Sequence, residues 1–439
     1  MSSDRTCPEC NQRNITWGWC KPCNSKRFQN DFNSWTSGND KIDKFIQDSQ
    51  LNANNHYQVI EWIPYDRFKD VKQIGEGGFG TIHYARWIDG YIEKWDIENQ
   101  QWKRWGEGEV ALKRFDNFVN FNDILNEMEI HLKIYTDLIV TSLRFYGITQ
   151  DPETHSYMMV LEYVADGNLR EYLKNNFNNI SWKQKLDNLQ ELSFRLMHIH
   201  KLGIVHQDLH PGNILSSNFE LDLTISDFGL SKRIGANLNN SGKKNIVGVL
   251  PYIAPEVLSG EEYTKAADVY SFGIIAYEII TGLLPYPDIP HDEDLAIKIC
   301  NGLRPKIPFH IPKLVTRMIM KCWDARVTHR PTFEQLFDDL KHCINYDDYL
   351  EQGKNKDSEI GIQIKKAEEF SANQESTNTT TTTTTPLNYK THPQAIYTSR
   401  LLNYSKLPKP KNEENFEREI KEITESFSHI ITNDDIDEF

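Results

Sequence analysis

Four cysteines stand between residues 7 and 23, as Cys7-Pro8-Glu9-Cys10 and Cys20-Lys21-Pro22-Cys23. Two thiolates two residues apart can grip one side of a metal ion through a tight turn, and a second such pair completes a tetrahedron of sulfur. The pattern predicts a structural zinc site with no open coordination position, so the metal would not be catalytic. A redox pair is disfavoured because there are two CxxC motifs and no βαβ context. The competing reading is four free thiols in a loose terminus. A second constellation begins at Ile74-Gly75-Glu76-Gly77-Gly78-Phe79-Gly80. A dinucleotide fold would need a helix directly after these glycines, but Thr81-Ile82-His83-Tyr84-Ala85 is strand-like. A glycine hairpin between two strands can lay backbone N–H groups over phosphate oxygens. Val110-Ala111-Leu112-Lys113 then places a lysine at the end of an apolar strand, where it could meet the same phosphates.

The elements that must position these residues read as an α+β body. Short strands such as Val71–Ile74 and Thr81–Trp87 come first, and mainly helical periodicity follows. Ser181-Trp182-Lys183-Gln184 has the form of a capping box, with Ser181 accepting from a backbone N–H and Gln184 reaching back. Leu186, Leu189, Leu192, Leu196 and Ile199 share the next helical face. Between Trp87 and Gly108, an insertion carrying Trp87, Trp95, Trp102 and Trp105 alternates like a hairpin turning near Asn99. Its tryptophans are expected to be structural.

Composition bounds the rest. With 439 residues the chain exceeds one small domain and suits a domain of 250–300 residues with extensions. No apolar run approaches the roughly 20 residues of a membrane span. The start Met1-Ser2-Ser3-Asp4-Arg5 lacks a secretory pattern. The expectation is an intracellular protein, cytoplasmic or also nuclear, with reduced cysteines. The net charge of −14 argues against bulk nucleic-acid binding. Only residues 1–30, with Arg5, Arg13, Lys21, Lys26, Arg27, Trp17 and Trp19, keep nucleic-acid or protein binding open. The plainer reading there is a knob whose tryptophans pack on the metal loop, separable from the rest. Residues 31–63 read as a polar linker with one short helix around 41–50. Residues 346–439 contain 18 acidic and 11 basic residues, half of the net charge, and the run Thr379–Thr385. They read as a low-complexity, mostly disordered tail, with helical spacing over Phe416–Phe427.

Downstream come His206-Gln207-Asp208-Leu209-His210-Pro211-Gly212-Asn213, then Asp227-Phe228-Gly229, then Ala254-Pro255-Glu256. With the glycine loop and Lys113 in the same order, residues 64–345 resemble a eukaryotic protein kinase domain. Asp268-Val269-Tyr270-Ser271-Phe272-Gly273, Cys322-Trp323 and Arg330-Pro331-Thr332-Phe333 extend the likeness toward the tyrosine-kinase-like and tyrosine kinase groups. The resemblance implies a two-lobed fold, ATP and Mg²⁺ as cofactors, a protein substrate and a role in intracellular signalling. It implies that Gly75, Gly77, Gly78 and Gly80 cover the triphosphate, with Ile82, Ala111, Leu161, Glu162 and Val164 around the adenine. Lys113 would contact the α and β phosphates and pair with an acid on the next helix. Glu127 and Glu129 compete, two apart and so on different sides of the helix, and the family pattern selects Glu127. Asp227 and Asn213 would hold Mg²⁺, and Asp208 would orient or accept the proton of the attacking hydroxyl. Glu256 and Arg330 would form a buried ion pair, and Asp268 would anchor the catalytic loop.

Three positions depart from the family. Gln207 replaces the usual arginine before the catalytic aspartate. His210 stands where serine/threonine kinases carry lysine, and Val249 where a threonine usually bonds nearby. Tyrosine-kinase versions of these motifs are absent too, so serine and threonine are the expected acceptors. Because Gln207 cannot pair with a phosphate, activity is expected without phosphorylation of the segment from Asp227 to Glu256, whose hydroxyls include Ser231, Ser241 and Tyr252. The alternative function is a pseudokinase scaffold that binds nucleotide or partners without efficient catalysis.

Overall fold

The computed structural model describes residues 6–12, 18–77, 80–115, 121–135, 142–220, 222–233, 246–341, 362–369, 391–404 and 406–434. The chain forms two compact units. Unit 1 comprises Met1–Val164 with Thr224–Gly229, and unit 2 comprises Ala165–Leu223 with Leu230–Phe439. The first is rich in strands and the second in helices, as the α+β reading expects. Among the described residues, no helix is long and apolar enough to cross a membrane.

Unit 1 is built on a six-stranded sheet. Its strands are β1 (Glu61–Trp62), β2 (Phe68–Gly77), β3 (Gly80–Trp87), β6 (Gly108–Phe115), β7 (Phe145–Gln150) and β8 (Tyr157–Glu162), in the order β1-β7-β8-β6-β3-β2. The insertion is a separate hairpin of β4 (Ile92–Asp96) and β5 (Gln101–Arg104). Its turn is held by Asp96, whose carboxylate accepts the N–H groups of Glu98 and Asn99, each at 3.1 Å. Side chains alternate across the sheet. Val110, Leu112, Met158 and Val160 pack with Trp87 and Phe68 on one face. Ala111, Phe115, Met159 and Leu161 pack on the other, with Met128 of helix α3 (Phe121–Ile134).

The stretch expected as a linker belongs to this core. Helix α2 (Asp40–Asn52) does form near the expected position, started by Asn39, whose side chain accepts from Lys41 N–H at 3.0 Å. Its Ile42 and Ile46 are fully buried with Ile60 against Met128 and Met159. β1 adds parallel to β7, and the approach is close: a Cβ at Gly147 would lie 2.1 Å from the Glu61 carbonyl oxygen, so only glycine fits.

The cysteine segment is likewise not a separable knob. Trp19 and Phe28 of helix α1 (Lys21–Asp31) are buried with Ala53, Val59 and Ile92. Trp102 of the hairpin stacks on both, at ring distances of 5.8 and 4.5 Å, and Arg27 lies 4.4 Å over Trp95. The Trp19 indole donates to the Ala53 carbonyl at 3.0 Å. Trp95 and Trp102 are thus structural partners of the cysteine segment, Trp87 is buried in the sheet core, and Trp105 stacks on Tyr91 but stays exposed. Trp17 lies outside the described residues.

Unit 2 is organised by helices α4 (Leu169–Asn176), α5 (Trp182–Lys201) and α6 (Lys265–Thr281), the last buried along most of its length. Ser181 caps α5, accepting from Gln184 N–H at 3.1 Å. The reciprocal half of the box is not made. The Gln184 side chain is turned the other way, its Nε2 donating to Phe219 O at 2.8 Å and to Asn188 Oδ1, one turn along α5, at 3.0 Å. Two stretches of the expected tail are ordered against this unit. Residues Arg400–Leu402 form a strand antiparallel to Ile246–Gly248. Further on, Asn412 bonds Asp324 and the Ala325 N–H, and a helix runs over Phe416–Asp434. The helix answers the helical spacing expected from Phe416 onward, and Leu402 and Phe416 are buried beside the backbone pairing and polar contacts. The threonine run lies outside the described residues.

Candidate active site

Within unit 1, register places the expected residues on one face. Ile82 sits opposite Lys113, and Ala111 sits opposite Leu161. Ala111 and Lys113 are two apart on β6, so all four side chains share a side of the sheet. Glu162 and Val164, at and beyond the end of β8, are half-buried. The glycine hairpin closes through Gly77 opposite Gly80, with Gly75 opposite Ile82. A Cβ at Gly80 would stand 1.9 Å from the Arg114 carbonyl oxygen, so β3 and β6 can meet there only without a side chain. Gly78 lies outside the described residues.

Lys113 ends this face in a buried charge cluster. Its Nζ donates to Glu127 Oε1 at 2.5 Å and to Asp227 Oδ1 at 2.8 Å. Burial would push the ammonium pKa down, but the carboxylates of Asp227 and Glu127 outweigh it and hold it above the ordinary lysine value. Burial acts on Glu127 in the opposite sense, favouring its neutral form against the pull of Lys113. Orientation of α3 selects between the two competing acids: Glu127 is buried and faces Lys113, whereas Glu129 is exposed. Asp227 has left-handed backbone, φ 61°, and Phe228 beside it is fully buried, edge-on to His131 at 5.1 Å. This cluster fits a magnesium-bound polyphosphate: one fixed cation, one partly exposed carboxylate and a glycine-rich hairpin.

Within unit 2, the loop around Asp208 hangs from a single carboxylate. Asp268, fully buried, accepts the backbone N–H groups of His206 at 2.9 Å and Gln207 at 3.1 Å, and bonds the His200 ring at 2.9 Å. Gln207 takes φ 70° in this turn. Asn213 Nδ2 donates to the Asp208 carbonyl at 2.9 Å. The Glu256–Arg330 pair is bidentate, both contacts 2.7 Å, and buried. Ser231 is buried and donates to His206 O, and Tyr252 is buried with its hydroxyl on Glu278. Neither presents a free hydroxyl for modification. Ser241 lies outside the described residues.

One functional contact escapes the sequence motifs. Ser399 donates through its hydroxyl to Asp208 Oδ2 at 2.5 Å, and His210 Nε2 lies 3.2 Å from Ser399 Oγ. Val249 is buried and apolar, so the serine supplies the hydroxyl between residues 208 and 210. The signal was the apolar, β-prone run Ile396-Tyr397-Thr398-Ser399-Arg400-Leu401-Leu402 in an otherwise polar tail.

The four N-terminal cysteines do converge. Their Sγ atoms all lie within 4.8 Å of one another, with Cys10–Cys20 at 3.5 Å and Cys7–Cys23 at 3.9 Å. Sulfurs around zinc at ~2.3 Å stand about 3.8 Å apart in a tetrahedron. Burial opposes ionisation at Cys7, Cys20 and Cys23; the N–H groups of Cys10 and Glu9 lower the Cys7 thiol to about 7, whereas Cys20 and Cys23 are held up. The donor set fits zinc.

Residues 68–340 match the family of protein tyrosine and serine/threonine kinases. The chain belongs to that family, whose members transfer phosphoryl groups from ATP with Mg²⁺. It is 30% identical over 287 residues to the tyrosine-protein kinase SPK-1 of Girardia tigrina, covering 63% of this chain and 53% of the relative. Over 310 residues it is 29% identical to the probable serine/threonine-protein kinase gdt4 of Dictyostelium discoideum, covering 69% and 17%. The dual specificity protein kinase pyk3 of that organism is 27% identical over 281 residues, covering 64% and 19%. The chain thus spans about half the length of the first relative and less than a fifth of the other two.

Proposed function

We propose that the chain is a catalytically active kinase that phosphorylates serine and threonine hydroxyls of proteins. The observation that carries this reading is Lys113 held between Glu127 and Asp227, a buried cation kept charged by two carboxylates. Lys113 neutralises the α and β phosphates of the nucleotide. Glu127 fixes its position. The hairpin from Gly75 to Gly80 covers the triphosphate, and Ile82, Ala111 and Leu161 line the adenine. Asp227 and Asn213 are the residues that would hold Mg²⁺, which supplies charge neutralisation on the phosphates when bound. Asp208 orients the acceptor hydroxyl and takes its proton. The attacking oxygen forms a bond to the γ-phosphorus as the bond to the β–γ bridging oxygen breaks, leaving ADP.

Serine preference is supported by the Asp208–His210 pair, which engages a serine oxygen from two sides. Cys7, Cys10, Cys20 and Cys23 hold one structural zinc ion in the same reading. The test is transfer of labelled γ-phosphate to a generic protein substrate. Asp208→Asn and Asp227→Asn are expected to lose about 10²–10⁴ in rate. Asp227→Asn also weakens magnesium-dependent nucleotide binding, and Asp208→Asn leaves it nearly unchanged. Wild-type rates in both variants overturn the enzyme reading.

A further inference from the structure

The tail segment 396–402 lies across the loop that carries Asp208, and its anchors are specific. Arg170 Nη1 donates to the Tyr397 carbonyl at 2.7 Å, and the Tyr397 hydroxyl donates to Pro285 O at 2.9 Å. His291 Nδ1 bonds the Ile396 carbonyl at 2.9 Å, and Arg400 bonds the His291 carbonyl. Leu402, Leu401 and Arg400 pair with Ile246, Val247 and Gly248. This is strand addition: the backbone supplies the binding, and register decides which side chain meets the site. The residue so placed is Ser399. Gly248, paired with Arg400, keeps this strand close to the site: a Cβ there would lie 3.1 Å from Ile253 Cδ1 and 3.3 Å from Asp208 Oδ1.

The hydrogen-bond order around Ser399 follows from one backbone contact. Gly212 N–H donates to His210 Nδ1 at 3.0 Å. In the neutral ring the proton is therefore on Nε2, which donates to Ser399 Oγ at 3.2 Å. The hydroxyl's own proton then goes to Asp208 Oδ2, at 2.5 Å. That is the arrangement an acceptor hydroxyl needs: proton on the base, one lone pair held by a donor, one lone pair left to attack.

We propose that Ser399 is a phosphoacceptor of its own chain, presented in cis. The inference rests on the kinase reading above. Ser399 Oγ forms a bond to the γ-phosphorus of ATP, the bond from that phosphorus to the β–γ bridging oxygen breaks, and the hydroxyl proton passes to Asp208. The products are phosphoserine 399 and ADP.

The experiment incubates the full chain with magnesium and γ-labelled ATP, in the presence of casein, and maps the labelled peptides. The expected result is label on Ser399 at a rate per chain that does not change on serial dilution, lost in Ser399→Ala. Asp208→Asn chains mixed with wild type should remain unlabelled at residue 399. Labelled casein with an unlabelled Ser399 overturns the proposal and leaves the kinase reading standing. Label on neither overturns both. A rate proportional to chain concentration, or label on residue 399 of the Asp208→Asn chains, overturns presentation in cis.

Discussion

The segments flanking the kinase-family region attach by opposite physics. The N-terminal one is apolar where it meets the sheet of unit 1: Trp19, Phe28, Ile42, Ile46 and Ile60 are at most 4% exposed. Each such side chain contributes about 1.5–3 kcal/mol by leaving water. The C-terminal segment 391–402 meets unit 2 mainly through backbone pairs and single hydrogen bonds. These are worth about 1 kcal/mol each, and of the two paired leucines only Leu402 is buried, Leu401 remaining 49% exposed. Apolar burial makes a permanent part of a fold. Polar and backbone contacts make a segment that can bind and leave, which is what a substrate strand beside Asp208 must do.

The largest effect expected from breaking the first attachment is on the metal. Zinc sites of this type contribute apparent free energies on the order of 10 kcal/mol to small metal domains. Stripping with a chelator, or Cys7→Ser with Cys10→Ser, should therefore melt the cluster of Trp19, Phe28 and Trp102 and lower the stability of unit 1. Metal analysis together with tryptophan fluorescence checks this. A chain that carries no bound metal, or one that loses it with no change in fluorescence, contradicts the assignment. Next in size is Ile42→Ala, which opens a cavity in a core with no exposed side, at about 2–5 kcal/mol. Denaturant unfolding should show this loss. If residues 31–63 were a tether after all, the variant would unfold like wild type.

Beneath the second segment sits a titrating group. Glu278 is fully buried, accepts from Tyr252 and faces Arg170. Burial raises its carboxyl to about 7, outweighing Arg170 and Tyr252, which pull it down. Its folded pKa is thus above its unfolded one, so the folded state holds a proton that the unfolded state releases. The stability contribution is fully present below the ordinary glutamate value and fades as pH rises through about 7, by about 3 kcal/mol in all. Glu278→Gln should flatten the fall in melting temperature between pH 5 and pH 8. An unaltered slope would assign the pH dependence elsewhere.

How much of this was legible in the sequence depended on what each residue has to do. Lys113, Asp208, Asn213 and Asp227 must be those residue types at those spacings, so the motifs are readable directly. The choice between Glu127 and Glu129 needed the rotation of α3, which local periodicity leaves open. Ile42 and Ile46 stand four apart after a capping Asn39, a helix signal, but their partners Met128 and Met159 are distant in sequence. Composition therefore reads their surroundings as a linker. Ser399 was least legible. Strand addition works through backbone groups that every residue carries, so the β-prone run from Ile396 to Leu402 marks a strand without naming its partner.

The smallest predicted effect separates the two attachments most sharply. Tyr397→Phe removes one hydroxyl, and with it the hydrogen bond to Pro285 O, while keeping the ring that packs edge-on to His291 at 4.8 Å. The Pro285 carbonyl loses one partner, at a cost of about 1 kcal/mol, a factor of about 5 in the opening equilibrium of the segment. Hydrogen exchange over residues 391–404 should quicken by that factor. Global unfolding should stay where it was, because a segment that opens by itself does not draw on the core. Labelling of Ser399 should slow in proportion to the bound fraction, and casein, competing for Asp208, should be phosphorylated faster. A fall in global stability comparable to that of Ile42→Ala would mean the C-terminal segment is as integral as the N-terminal one, and the contrast between them would be lost.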